Sequence, residues 1–226
     1  SLILVRRQFH LRLHLSTWKD IRMQLKEGSA VFGSTFGMNL YRNANIIILK
    51  QFVTDDVVGL YSAAEKVVKG FQSLISPAAQ ALFPHLSLRF KGQPVNEQMR
   101  LLRKVSLPFT AVVVAITIGV YLFAPLISDI LCGKEFVACV PLIRIMTLVI
   151  LFGEINYLVG IVGLINMDGQ RYFFQSVIVT GVFSVVFMLL MTPRWGGEAA
   201  AWAMSLSEML LFLLCIFSIY RINKRV

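Results

Sequence analysis

Apolar residues in this chain are gathered into long unbroken runs. Pro108 to Ile127 (PFTAVVVAITIGVYLFAPLI) holds no charged residue, and Phe173 to Met191 (FFQSVIVTGVFSVVFMLLM) is interrupted only by Gln175 and small hydroxyls. Each run is long enough to cross about 30 Å of hydrocarbon as a helix, and neither has the polar face that a helix on a soluble core presents to water. Read by this pattern, the chain is an all-α polytopic membrane protein. Six spans are expected, at Gly28 to Gln51, Val57 to Leu86, Val105 to Ile127, Val137 to Ile165, Phe173 to Met191 and Gly197 to Tyr220. Ahead of them, residues 1–27 form a basic segment in which Thr17 and Asp20 have capping-box spacing and Trp18, Ile21 and Leu25 share one helical face. That pattern predicts a short helix lying in the membrane interface. Ser1 to Val5 (SLILV) reads as the tail of an apolar helix running into Arg6 and Arg7, so further sequence is expected upstream.

Charge then orients the spans. One set of connections carries Arg6, Arg7, Arg12, Lys19, Arg22 and Lys26, then Arg89, Lys91, Arg100, Arg103 and Lys104, then Arg171, and finally Arg221, Lys224 and Arg225. The opposite set has only Lys50, Lys134 and Arg194, with Asp55, Asp56, Asp129, Glu135 and Glu198 beside them. Basic loops are retained in the cytoplasm, so both ends of the 226-residue chain are expected there.

Composition agrees: 57% of residues are hydrophobic, 15% are charged, and mean hydropathy is +0.71. The net charge of +10 does not point to nucleic acid, because the cations punctuate apolar runs instead of forming one basic face. Cys132, Cys139 and Cys215 are odd in number and lack paired zinc spacing, so they signal packing or loop thiols. No metal site and no cofactor are expected.

The polar residues inside the spans carry the functional signal. Arg42, Lys66, Lys69 and Arg144 would each cost about 2.5 to 3.5 kcal/mol at a lipid-facing helix centre, so they should face protein or water. In the second span Ser62, Glu65, Lys66, Lys69, Gln72, Ser73, Ser76 and Gln80 recur at three- and four-residue steps, opposite Val67, Val68, Phe71, Leu74, Ile75 and Ala78. Pro77 is a candidate kink. The first span repeats the pattern with Thr35, Asn39, Arg42 and Asn43, beside a Gly33-x-x-x-Gly37 step suited to close helix contact. Two readings fit. The faces line a cavity for an anionic, hydroxyl-rich cargo, with cations for phosphate and amides for sugar hydroxyls. Alternatively Glu65 pairs with Lys69, Lys66 snorkels, and the stripe is a buried seam. Arg144, about two turns inside the fourth span, either serves the cavity or snorkels to the interface; Glu65 is a further coupling or cavity candidate, and Glu154 and Glu208 are candidates either for coupling a proton or ion or for buried interhelical pairing.

An enzyme reading finds little to stand on. His10 and His14 sit at i,i+4 without an acidic ligand, Ser16-Thr17-Trp18-Lys19 matches S-x-x-K without its companion motifs, and His85 follows Pro84 at a span end.

Leu25-Lys26-Glu27-Gly28, Tyr41 to Leu49 (YRNANIIIL), Val58 to Lys66 (VGLYSAAEK), Ala81 to Ser87 (ALFPHLS), Gly163 to Arg171 (GLINMDGQR) and Pro193 to Ala201 (PRWGGEAAA) occur in this order and spacing. Together they resemble the polysaccharide-biosynthesis flippases, the O-antigen transporter type of the MOP exporter superfamily. The resemblance implies two lobes of six helices, with residues 28–226 as the second lobe, residues 1–27 as the inter-lobe linker and a first lobe upstream. It implies no enzymatic activity but transport of undecaprenyl-pyrophosphate-linked oligosaccharide across the bacterial inner membrane by alternating access. Its partners would be that lipid-linked cargo and membrane lipids, not nucleic acid. On this analogy Arg42, Lys66 and Lys69 would attract pyrophosphate or acidic sugars and Asn39 and Asn43 would contact sugar, with Gln72 in the same cavity. A MATE-like small-molecule exporter and a membrane-embedded glycan polymerase or transferase are the rivals; the cationic stripe favours an anionic cargo over a cationic drug.

Overall fold

The computed structural model describes residues 43–133 and 137–224, together with residues 17, 18, 22, 29, 32, 33 and 36–38. The described elements are helical throughout. After a helical stretch at residues 43–49 come α1 (Asp55–Phe90), α2 (Val95–Leu122), α3 (Ala124–Leu131), α4 (Cys139–Asn156), α5 (Gln170–Trp195) and α6 (Gly197–Asn223). A π-helical stretch, Tyr157–Ile165, continues α4 without a break.

Among the described residues, four helices are long and apolar enough to cross a membrane: α2, α4 with its π continuation, α5 and α6. They match four of the six expected spans. The second span corresponds to α1, whose 36 residues make a rod of about 54 Å. Glu65, Lys66 and Lys69 in its first half, with Gln72, Gln80 and His85 after them, keep it below the same standard of apolarity. The first span and the interfacial segment fall mostly outside the described residues. Pro77 and Pro84 both lie inside α1, which is not interrupted at either. The third span is divided: α2 stops at Leu122, Phe123 leaves helical geometry with ψ 10°, and α3 begins with Pro125 in its first turn. Proline starts a helix well because its missing N–H is not needed there, so the apolar run holds two helices.

α4 sits at the centre, packed against α1, α2 and α6, while α5 lies along α6. The sequence of α6 shows why it approaches so closely: Ala199, Ala200, Ala201, Ala203, Ser205 and Ser207 are all fully buried. In lipid, association gains little from removing apolar surface from its solvent, so small residues that let backbones touch supply the contact. The Gly33-x-x-x-Gly37 step fits this rule. A Cβ on Gly33 would lie 2.8 Å from the Phe174 ring and one on Gly37 3.1 Å from Val177, so both glycines mark where the first span meets α5. Gly160 in the π stretch does the same for Phe173, at 2.5 Å.

The buried apolar residues divide into two clusters, with the half-buried Phe109 and Leu151 packed against both. One apolar cluster holds Tyr61, Val68, Val113, Ile143, Met146, Ile150, Met188 and Met204; the other holds Leu86, Phe90, Leu102, Leu158, Val162, Phe173, Leu211 and Cys215. On α4 the change from one cluster to the other falls between Ile150 and Ile155, and on α6 between Met204 and Leu211.

Candidate functional site

The residues at that change are polar. α1 brings Gln72 and Ser76, α4 brings Glu154 and Asn156, α5 brings Thr180 and Ser184, and α6 brings Ser205, Ser207 and Glu208. Counting the π stretch with α4, each group sits near the middle of its helix, so the bundle has a polar layer at mid-depth. Five hydrogen bonds tie it together. Ser76 Oγ donates to Glu154 Oε1 at 2.7 Å, joining α1 to α4. Gln72 Nε2 donates to the Val149 carbonyl at 3.1 Å across the same interface. Asn156 Nδ2 donates both to Glu208 Oε2 and to the Glu208 carbonyl, each at 2.9 Å, joining α4 to α6. Ser205 Oγ donates to the Ile145 carbonyl at 2.8 Å.

Glu154 is 3% exposed and Glu208 is fully buried, so both carboxylates depend on these donors for solvation. Because the Asn156 amide nitrogen is fixed by two acceptors on Glu208, its Oδ1 is set as an acceptor. That atom, Ser207 Oγ and Thr180 Oγ1 are buried with no hydrogen-bond partner among the described residues. The layer thus holds more hydrogen-bonding capacity than its protein contacts consume. A cavity of about 140 Å³ opens onto it, lined by Met38, Gln72, Ser76, Glu154, Asn156 and Tyr157 among others. The π stretch begins at Tyr157, directly after these residues. Wide turns of this kind concentrate at functional positions because they re-aim side chains without ending the helix.

The other sequence-predicted residues divide around this layer. Glu65 is buried and pairs with Lys69 Nζ at 2.9 Å, while the Lys69 side chain remains 45% exposed. Lys66 is exposed and lines an open cleft of about 500 Å³ with Ser62, Leu131 and Cys132. Ser73 and Gln80 are exposed on the same helix. The stripe on α1 is therefore split: Gln72 and Ser76 turn into the bundle, and Lys66, Lys69, Ser73 and Gln80 turn away from it. Leu74 and Ala78, expected on the apolar side, are exposed too. Arg144 lies on the outside of α4 with its guanidinium 5.4 Å from the centre of the Tyr121 ring, in the geometry of a snorkelling, cation–π-supported side chain. Asn43 is exposed at the start of the stretch 43–49, and Asn39 and Arg42 lie outside the described residues. His10 and His14 lie outside them as well.

Sequence reasoning did not single out Asn156, Thr180 or Ser207. Asn156 was legible in principle, since Glu154-Ile155-Asn156 is the one acid–amide pair in the apolar stretch from Ile145 to Ile165. Thr180 and Ser207 give no such signal, because isolated hydroxyls satisfy themselves on the preceding turn in many spans.

A family model described as "Polysaccharide biosynthesis protein" matches residues 1–89. A "Putative O-antigen transporter" of Shigella dysenteriae is 29% identical over 136 residues, which is 60% of this chain and 33% of that protein. A "Putative O-antigen transporter" of Escherichia coli K12 is 23% identical over 205 residues, 91% of this chain and 49% of that protein. The chain thus spans half or less of the length of these curated relatives. No solved structure matches it. Both comparisons support the polysaccharide-biosynthesis relationship read from the sequence, and the apolar helices make the chain a multi-pass membrane protein.

Proposed function

We propose that this relative of the polysaccharide-biosynthesis and O-antigen transporter proteins is one six-helix lobe of a flippase that moves a lipid-linked, anionic oligosaccharide across the bacterial inner membrane by alternating access. Residues 28–226 form the lobe, residues 1–27 link it to a partner lobe upstream, and both ends of the chain face the cytoplasm. The observation that carries this reading is the outward polar face of α1. Lys66, Lys69, Ser73 and Gln80 are exposed on a helix that belongs to a membrane bundle, and lipid contact there would cost about 2.5 to 3.5 kcal/mol per cation near mid-depth. A water-filled cavity between two lobes removes that cost, and its cationic lining suits phosphate and acidic sugars. Asn39, Arg42 and Asn43 of the first span would complete the lining, with Gln72 at its inner edge.

The Glu65–Lys69 pair tempers the field without abolishing it. Lys69 shares its charge with a buried carboxylate, whereas Lys66 faces the cleft and is the stronger cargo ligand of the two. Behind them, Glu154 and Glu208 are the proposed coupling carboxylates, since they join α1, α4 and α6 through donors that a change in protonation or ion occupancy would reorganise. Arg144, held outside the bundle against Tyr121, has no part in the cavity in this reading.

The test is charge reversal in the full protein. Lys66→Glu combined with Lys69→Glu is expected to abolish surface glycan while membrane insertion and abundance stay normal. Normal surface glycan in that variant would overturn the cavity assignment.

A further inference from the structure

Away from α1, the flank between α2 and α6 carries two cavities that meet. The first, of about 260 Å³, is polar and lies at the end of the bundle, lined by Asn96, Met99, Arg100, Arg103 and Asn223. The second, of about 190 Å³, is mostly apolar and runs deeper, bounded by Leu102, Ser106, Val159, Ile216, Ile219 and Tyr220. Met99 and Arg103 line both, so the two form one continuous groove with a charged mouth and an apolar floor.

We propose that this groove is a binding site for an anionic glycerophospholipid, with the phosphate at Arg100 and Arg103 and one acyl chain lying between α2 and α6. Three features argue for that occupant over others. The mouth holds two arginines, whose planar guanidinium groups match phosphate oxygens in pairs, and among the described residues no carboxylate lines it; Glu97 pairs with Arg100 from the side at 3.9 Å. Both arginines are exposed, so they are available to a headgroup. Asn223 adds an uncharged amide side chain to the same mouth, beside Asn96, so the lining there is polar as well as cationic. The change from polar to apolar lining follows the change from interface to hydrocarbon: Val105 opens the apolar part of α2, and Tyr220, exposed near the end of α6, has the amphipathic ring that settles at headgroup level. Basic pockets between spanning helices at the bilayer surface are the usual form of such sites. None of the α1 stripe residues lines either cavity, so the site is separate from the proposed cargo path and holds whichever function α1 has.

The experiment is native mass spectrometry of the detergent-purified full-length protein titrated with phosphatidylglycerol and, separately, with phosphatidylcholine of the same acyl chains. One phosphatidylglycerol is expected to bind in preference to phosphatidylcholine. Each arginine near a charged surface contributes about fivefold to binding, so Arg100→Gln with Arg103→Gln should weaken that first phosphatidylglycerol about twenty-five-fold. Phosphatidylcholine should be little affected. Ser106→Trp, which fills the apolar floor and leaves the arginines in place, should reduce both lipids. Lys66→Gln with Lys69→Gln should change neither. Equal binding of the two lipids, or an unchanged first phosphatidylglycerol in the double arginine variant, would overturn the proposal. So would complete competition by glycerol 3-phosphate, which would mark a bare phosphate site, or preferential displacement by a polyprenyl diphosphate, which would mark the groove as a carrier site.

Discussion

Glu154 and Glu208 show how a membrane interior accommodates charge-bearing side chains: each carboxyl is met by a donor from a different helix, Ser76 for one and Asn156 for the other. Removing one partner takes hydrogen bonds from a buried polar group, which costs about 1 to 3 kcal/mol, whereas replacing both by apolar groups of similar shape is close to neutral. Asn156→Leu alone is therefore expected to lower stability in detergent by that amount, and Asn156→Leu with Glu208→Leu to recover part of the loss; thermal unfolding of the purified variants measures the difference. Glu154→Gln separates stability from function. The amide oxygen still accepts from Ser76, so unfolding should shift by less than about 1 kcal/mol, while glycan export falls if the carboxyl is the coupling group. Export at the normal rate would remove Glu154 from that role. Gly160 makes a different residue-scale prediction: with a Cβ only 2.5 Å from the Phe173 ring, Gly160→Val should cost about 1 to 3 kcal/mol through overpacking, seen as a lower unfolding temperature.

At the scale of elements, the long apolar runs were readable because nothing but a spanning helix satisfies twenty apolar residues and their backbone in lipid. The runs at Phe173 to Met191 and Gly197 to Tyr220 appear in the structure as α5 and α6, each extended by a few residues. What hydropathy did not carry was local geometry. The division of α2 from α3 turns on Pro125, and in the π stretch after Asn156 the glycines Gly160 and Gly163 lie close against Phe173 and Leu102; neither feature has a periodic signature. The α1 stripe was legible as a set of polar residues, but not its division, because a helical-wheel pattern does not say where neighbouring helices end. Ser76 and Gln72 meet α4, and Lys66 and Lys69 fall just past the edge of that contact. If α1 crosses the membrane, cysteines placed at Thr54 and Gly92, just beyond its two ends, should react with an impermeant thiol reagent from opposite sides. Labelling of both from one side would refute the topology.

For the molecule as a whole, α1, α4, α5 and α6 carry a polar layer between two apolar clusters, while Phe109 of α2 and Leu151 of α4 pack against both clusters. Such an arrangement suits a lobe that must move against a partner while keeping a polar path at mid-depth, and the chain spans half or less of the relatives it matches. The proposed cargo path depends on whether the outward face of α1 meets water. Single cysteines along α1 in the otherwise cysteine-free full protein, probed in membranes with a small impermeant thiol reagent, answer this most directly. Cysteines at Lys66, Lys69, Ser73 and Gln80 should react readily, those at Val68, Ile75 and Ala79 should not, and a phosphorylated glycan should slow the reaction at Lys66 most. Uniformly low reactivity along the helix, with Lys66 and Lys69 no more reactive than Ile75, would contradict the account.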